Sequence, residues 1–385
     1  CPTGALRARD DTERVFDALE DPEKICLVQI APAVRTSWGE SLGLTHEQAT
    51  VERLASALRA MGFDYVFDTN FSADLTIMEE GSELLERIKK ASEPGGEDIK
   101  FPMFTSCCPG WIRYVKSHYP ELLDQVSTSK SPQQMFGAVA KTYYAHALGV
   151  DPSKIFSVSI MPCVSKKYEK GVPQADDAGH GKDVDLVLTT RELDRLIRAD
   201  NIQPHDLKEE EFDPIFGEGS GAGVIFGTTG GVMEAALRSA YYLITGENPE
   251  PDSFKSVRGT DGWKEATFEI KGLKVRVAVA SGLGNARKLM EAVKSGKVHY
   301  DFVEIMACPG GCVGGGGQPT KDGYEHAAQR GEILYGLDKF SDLRFSHENK
   351  AVQLTYEEFL DKPNSHRAHE LLHTDLESWD LDMNL

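Results

Sequence analysis

The chain has 385 residues, 40% of them hydrophobic and 27% charged, with a formal net charge of −19; that is length for one large domain or a few ordinary ones around a sizeable core. So acidic a balance argues against nucleic acid and anionic membrane surfaces as partners. No apolar run approaches the roughly 18 residues of a membrane span, and the opening CPTGALRARDD is too charged for a secretory leader, so the expected compartment is the cytoplasm.

In chain order, Cys1-Pro2 resembles the end of the bacterial ferredoxin run C-x2-C-x2-C-x3-C-P, whose last cysteine ligates an iron–sulfur cluster. ICLVQIAP (25–32) reads as a buried strand. THEQATVERLASALRAMG follows as a helix, with a capping box at Thr45 and Gln48, Val51, Leu54, Ala55, Leu58 and Met61 at helical spacing, and Gly62 as its stop. DYVFD (64–68) is a strand and TIMEEGSELLERIKK (76–90) a helix. SPQQMFGAVAKTYYAHALG is a helix with Ser131 as N-cap, Pro132 in its first turn and Gly149 as its stop. KIFSVSIMPC is a strand ending at Cys163, VDLVLTTREL a strand feeding a helix capped at Thr189, and GGVMEAALRSAYYLITG a helix. LKVRVAVASG (273–282) is a strand, and YDFVEIMACPGG a strand ending at Cys308. Two cysteine sites thus fall just past strand ends, where ligands bind in α/β folds. The class expected is α/β with more than one sheet, with linker character at 92–98, 168–182 and 248–253.

There are seven cysteines: Cys1, Cys26, Cys107, Cys108, Cys163, Cys308 and Cys312. An odd count in a large chain without a leader argues against a disulfide framework. Cys26, inside an apolar strand, reads as an inert buried thiol. The others stand beside Pro or Gly in SCCPGW, MPCVSKK and MACPGGCVGGGGQP. Structural zinc, inert thiols and an iron–sulfur cluster all stay open. Zinc usually takes paired C-x2-4-C units, and here one C-x3-C pair would be joined by isolated ligands. Pro and Gly neighbours let backbone N–H groups approach cluster sulfurs, and four thiolates suit a 4Fe-4S cubane.

TSCCPGW, MPCVSKK and FVEIMACPGGCVGGGGQP, in this order, resemble the three signature stretches of the iron-only (FeFe) hydrogenases; FSADLTIMEE, KSPQQMFG and SGAGVIFGTTGGVMEAALRSA match as well. The resemblance runs from about residue 25 to about residue 373. It implies an α/β fold of two intertwined α/β lobes with the active site in the cleft between them. It also implies that 1–22 is the remnant of a ferredoxin-like domain and linker, with further iron–sulfur clusters in a region upstream, and that 23–385 is the H-cluster catalytic domain. The implied cofactor is the H-cluster: a 4Fe-4S cubane joined through a cysteine sulfur to a two-iron unit carrying carbonyl, cyanide and an amine-containing dithiolate. By motif position its ligands are Cys108, Cys163, Cys308 and Cys312, with Cys312 bridging. Cys107 matches the cysteine that passes protons to the bridging amine, a task suited to a thiol with an ordinary pKa near ~8.5. Glu80, Ser127 and Glu83 match the onward proton path, with Arg87 near the surface. Lys166 matches a buried lysine donating to a cyanide. Ala31, Pro32, Gln133, Met161, Phe226 and Met306 match pocket-lining positions, and Ala33 departs from members that carry Ser there. The implied partners are H2 and protons, a ferredoxin or similar iron–sulfur electron carrier, and maturation proteins.

Without the resemblance, two glutamates three apart on a helix read as a solvated face. HELLH, from His369 to His373, fits the zinc-protease pattern H-E-x-x-H, but only twelve residues remain to supply a third ligand, so a packed C-terminal helix is expected. GEGSGAG, GTTGG and GGGG lack the Gly-Lys-Ser/Thr of a phosphate loop, and SGLGNAR has Arg287 where a dinucleotide fingerprint needs its third glycine. Two relatives of other function, an iron–sulfur assembly protein and a hydrogen sensor, are expected to lack the Cys107-type relay; the assembly protein is expected to lack the lysine also.

Overall fold

The computed structural model describes residues 9–214, 216–259, 262–320, 324 and 326–379; Cys1 and Pro2 lie outside the described residues. Among the described residues, eight strands form two four-stranded sheets. They are β1 (Ile25–Ile30), β2 (Tyr65–Asp68), β3 (Met103–Phe104), β4 (Ile155–Met161), β5 (Leu186–Thr189), β6 (Trp263–Ile270), β7 (Leu273–Ser281) and β8 (Phe302–Met306). The first sheet has the order β2-β1-β4-β5 and the second β3-β8-β7-β6. All pairs are parallel except the β6–β7 hairpin. Because β3 leaves the first half of the chain to join the second sheet, the two lobes are intertwined. The parallel strands read as apolar runs because helices cover both faces; β1 and β8 are buried almost throughout.

The register aligns the C-terminal ends of strands within each sheet. Ile30 stands beside Asp68 and Ile160, Met161 beside Thr189, and Ser281 beside Met306. The segments that follow β1, β2, β3, β4 and β8 therefore meet in one place.

The helix read as 76–90 begins six residues earlier and spans Asn70–Ser92. Its first half is buried on every side, with Phe71 and Leu75 in one core and Ala73 and Ile77 in another. Polar Asn70, Ser72, Asp74 and Thr76 are buried there alongside the apolar residues, so no amphipathic period marks its start. Thr45 and Gln48 do exchange capping-type hydrogen bonds, but they close a turn. The helix itself is Val51–Ala60, capped by Thr50, whose side chain accepts from the Arg53 amide. The capping box at Thr189 is present, reciprocated by Glu192. Ser131 stands at the N-cap of Pro132–Val139 but does not cap it; its hydroxyl donates to Glu169 instead, at 2.9 Å. The stretch 168–182 is no linker, since Tyr168, Val172 and Ala175 are buried in the core of the second lobe. The helix Thr12–Leu19 packs on the first lobe through Val15 and Ala18.

Candidate active site

The strand ends line one cavity. Ala31, Pro32 and Ala33 reach it after β1, Thr69 after β2, Cys107 and Cys108 after β3, Cys163 after β4, and Ala307 and Cys308 after β8. Gln133, Met161, Lys166, Phe226, Met306 and Cys312 complete the set named from sequence. Every expected ligand, every expected pocket position, Cys107 and Lys166 line this one cavity. Glu80, Ser127, Glu83 and Arg87 run outward behind it. Cys26 is elsewhere, buried in the first core with its thiol donating to the Ala18 carbonyl.

The donor set suits a cluster better than a single ion. Around one tetrahedral zinc, sulfurs stand about 4 Å apart. Among the described residues, the one set of three donor atoms within 4.8 Å of one another is Glu234, Asp252 and Asp338. That place is already filled by guanidinium groups: Arg238 pairs with Asp338 at 2.8 Å, Arg258 with Glu234 at 2.7 Å and Arg344 with Asp252 at 3.0 Å. No three cysteine sulfurs among the described residues come that close together; they are spread around the cavity. Burial pushes the Cys108 and Cys312 thiols up. Cys163 is drawn down by a hydrogen bond from Cys308, and Cys308 is correspondingly raised. Buried thiols of this kind become four thiolates only against compensating positive charge. A 4Fe-4S cubane supplies it, and the residues present fit that group.

The glycines serve close packing at this wall. A Cβ on Gly311, at φ +92°, would meet the Thr229 amide at 2.5 Å, and one on Gly315 would meet the Pro162 carbonyl at 2.2 Å. The chain can turn Cys312 into the cavity only without those side chains.

Lys166 is buried and bonded at the cavity wall, to Glu169 at 2.7 Å and to the Cys107 carbonyl at 3.1 Å. Its ammonium is held charged: burial opposes the charge, but Glu169 beside it outweighs burial and raises the pKa. Glu169 also takes hydrogen bonds from Gln133 and Ser131. Sequence reasoning missed Glu169; its position one helical turn after Lys166 was the available signal.

Cys107 is a neutral thiol. The expectation rested on an ordinary thiol pKa, but burial, with the acidic groups Glu80 and Cys108 beside it, raises Cys107 well above that value. Glu80 is fully buried, and burial together with the neighbouring Glu83 pushes its carboxyl up to about 8. One oxygen accepts from the Ser106 amide at 3.2 Å; the other has no partner among the described residues. Ser127 faces both glutamates and donates to Glu83 at 2.6 Å. Glu83 in turn pairs with Arg87 at 2.7 Å, where the side chains are 12% and 18% exposed. Exposure thus rises from none at Glu80 and Ser127 to partial at Arg87.

HELLH lies in the helix His366–Leu372, with Leu371 and Leu372 in a core. Glu370 faces His366, not a shared metal position. Both ring nitrogens of His373 are engaged, Nδ1 with Thr128 at 2.8 Å and Nε2 with Glu79 at 3.0 Å, so the zinc reading has no free ligand there.

Four cysteine sulfurs around a cavity at the strand ends of two sheets define an iron–sulfur protein of two-lobed α/β architecture. Residues 24–316 match the family model for the iron-only hydrogenase large subunit, C-terminal domain, and residues 324–378 that for the iron hydrogenase small subunit. The chain belongs to the iron-only hydrogenase family. It is 50% identical to the NADP-reducing hydrogenase subunit HndD of Solidesulfovibrio fructosivorans and 46% identical to iron hydrogenase 1 of Clostridium pasteurianum. Both matches cover 97% of this chain but only 64% of the relative's length. The solved structure of the apo FeFe-hydrogenase HydA1 from Chlamydomonas reinhardtii, a single-residue variant, superposes with a TM-score of 0.82 at 45% identity. That likeness covers 95% of this chain and 98% of the other.

Proposed function

We propose that this chain is the catalytic domain of a hydrogenase that interconverts H2 with two protons and two electrons. The observation that carries the reading is the convergence of Cys107, Cys108, Cys163, Lys166, Cys308 and Cys312 on one largely apolar cavity, backed by Glu80, Ser127 and Glu83. Cys108, Cys163, Cys308 and Cys312 would hold the H-cluster. That group, when bound, supplies a Lewis-acidic iron and an adjacent amine base.

The chain's own residues do the rest. The neutral Cys107 thiol holds a proton at the cavity wall. Glu80, with its carboxyl pushed up to about 8, takes or returns that proton near neutral pH, since a carrier works best when its pKa lies near the operating pH. Ser127 and Glu83 continue the path toward Arg87. Lys166, steadied by Glu169, presents a fixed positive donor to an anionic ligand, a contact worth roughly 1.5–3 kcal/mol. Ala31, Pro32, Ala33, Met161, Phe226 and Met306 keep water from the site.

Electrons pass to a ferredoxin or similar iron–sulfur carrier, directly or through clusters upstream of a boundary near residue 22. Dedicated maturation proteins supply the carbonyl and cyanide ligands, which a polypeptide does not make. The compartment that goes with such partners is the cytoplasm. No helix among the described residues is long and apolar enough to cross a membrane. Cys107 and Lys166 together favour the enzyme over an iron–sulfur assembly protein. The test is an infrared spectrum of the matured protein: bands of metal-bound carbonyl and cyanide are expected, and their absence after full maturation would overturn the proposal.

A further inference from the structure

The last histidine of HELLH has both ring nitrogens engaged and is built into the molecule beside the proposed proton path. The His373 ring is 6% exposed, with Nδ1 2.8 Å from Thr128 Oγ1 and Nε2 3.0 Å from Glu79 Oε2. The Thr128 amide donates to Glu83 Oε2 at 3.2 Å, the same oxygen that takes the Ser127 hydroxyl at 2.6 Å. Glu79 immediately precedes Glu80 on the helix Asn70–Ser92 and also accepts from the Tyr356 hydroxyl and the Asn364 amide. The backbone around His373 grips the same loop: the Thr374 amide donates to the Thr128 carbonyl, and the Lys130 amide to the Leu372 carbonyl. One imidazole thus spans the gap between the loop that carries Ser127 and the helix that carries Glu80 and Glu83.

We infer that His373 is a positioning residue for the proton relay, fixing Thr128 so that its amide and the Ser127 hydroxyl stay on one oxygen of Glu83. The inference rests on the relay reading given above. His373 is not a carrier, because its link to Glu83 passes through a peptide amide, which does not relay protons. Two hydrogen bonds on one carboxylate oxygen fix its direction, and a relay depends on that direction because proton transfer needs donor and acceptor within hydrogen-bond reach. Removing the ring leaves Thr128 Oγ1 without its partner and frees the loop at the point where it meets Glu83.

The two ring nitrogens allow a test that separates positioning from mere support of the fold. An Asn amide reaches the place of Nδ1, and a Gln amide the place of Nε2. In the matured enzyme, His373→Ala should retain full iron and lower turnover by about tenfold, about 1.4 kcal/mol in barrier, with a larger solvent deuterium isotope effect. His373→Asn should recover most of the rate and His373→Gln should not, although their melting temperatures are alike. Amide exchange in residues 127–130 should quicken in the Ala and Gln variants more than in Asn, a readout independent of turnover. Parent rate and isotope effect in His373→Ala would overturn the inference, as would equal losses in Asn and Gln that follow melting temperature. Glu83→Ala and Ser127→Ala run alongside. If both keep the parent rate, the relay reading falls and takes the inference with it. If they are slow while His373→Ala is not, the inference alone fails.

Discussion

Glu80→Gln should make the protein more stable and less active at once, and the size of the first effect follows from the site. The Glu80 carboxyl moves from 4.5 to about 8 because it is fully buried beside Glu83. At about 1.4 kcal/mol per pKa unit, that shift corresponds to about 5 kcal/mol between the two protonation states. The folded protein holds a proton on Glu80 that the unfolded chain releases above pH 4.5. This contribution to stability is therefore complete below the unfolded pKa and is lost as pH rises, until it levels off above about 8. Gln has the shape of the protonated acid: its oxygen accepts from the Ser106 amide as Glu80 does at 3.2 Å, and it does not titrate. Relative to the parent, the variant should gain about 2–3 kcal/mol between pH 6 and pH 8. Urea unfolding of both proteins at the two pH values measures this difference directly. Turnover of the matured variant should fall by orders of magnitude with iron content unchanged, because an amide neither gives nor takes a proton at these pH values. Parallel stability–pH curves for parent and variant would refute the assignment of a neutral, buried Glu80.

Cys108→Ala, Cys163→Ala and Cys308→Ala should each lower cubane iron and abolish activity, and Cys312→Ala should in addition release the two-iron unit; full iron occupancy by elemental analysis in any of them would remove that residue from the ligand set. Cys26→Ala, the contrast, should keep its clusters and lose only about 1 kcal/mol, the cost of a small core cavity, as read by thermal melting. Cys107→Ala should keep both parts of the H-cluster and its infrared bands while turnover falls by several factors of ten, each about 1.4 kcal/mol of barrier; Cys107→Asp should recover part of the rate with a shifted pH optimum. Loss of the cubane in Cys107→Ala would mean that the roles of Cys107 and Cys108 are exchanged. His369→Ala and His373→Ala should bind no less zinc than the parent, and neither should hydrolyse peptides; stoichiometric zinc lost on mutation would restore the metal reading of HELLH.

The sequence by itself marked most of the strands, though not β3 or β6, and the cysteines that follow two of them. β1, β4 and β8 were legible because parallel strands covered on both faces must be apolar runs, and Cys163 and Cys308 were legible as candidate site residues because they follow such runs. The proposed ligand set and the role proposed for Cys107 came from the resemblance of long motifs to those of the family, not from spacing alone. Tertiary structure alone decided what depends on neighbours distant in the chain. It decided where the helix Asn70–Ser92 begins, since burial between two lobes erases the amphipathic period at its start. It decided that Thr50, not Thr45, caps the helix Val51–Ala60, and that Ser131 serves Glu169 and not its own helix. It decided the proton affinities. Glu80 and Glu83 are three apart on one helix, yet only packing makes Glu80 fully buried and raised to about 8 while Glu83 meets Arg87 near the surface. It also decided the fate of His373, whose partners Thr128 and Glu79 lie 245 and 294 positions away. A local pattern records what a residue can bind. Which partner it meets depends on the approach of distant segments, and burial then sets the strength of that contact and the charge the residue carries.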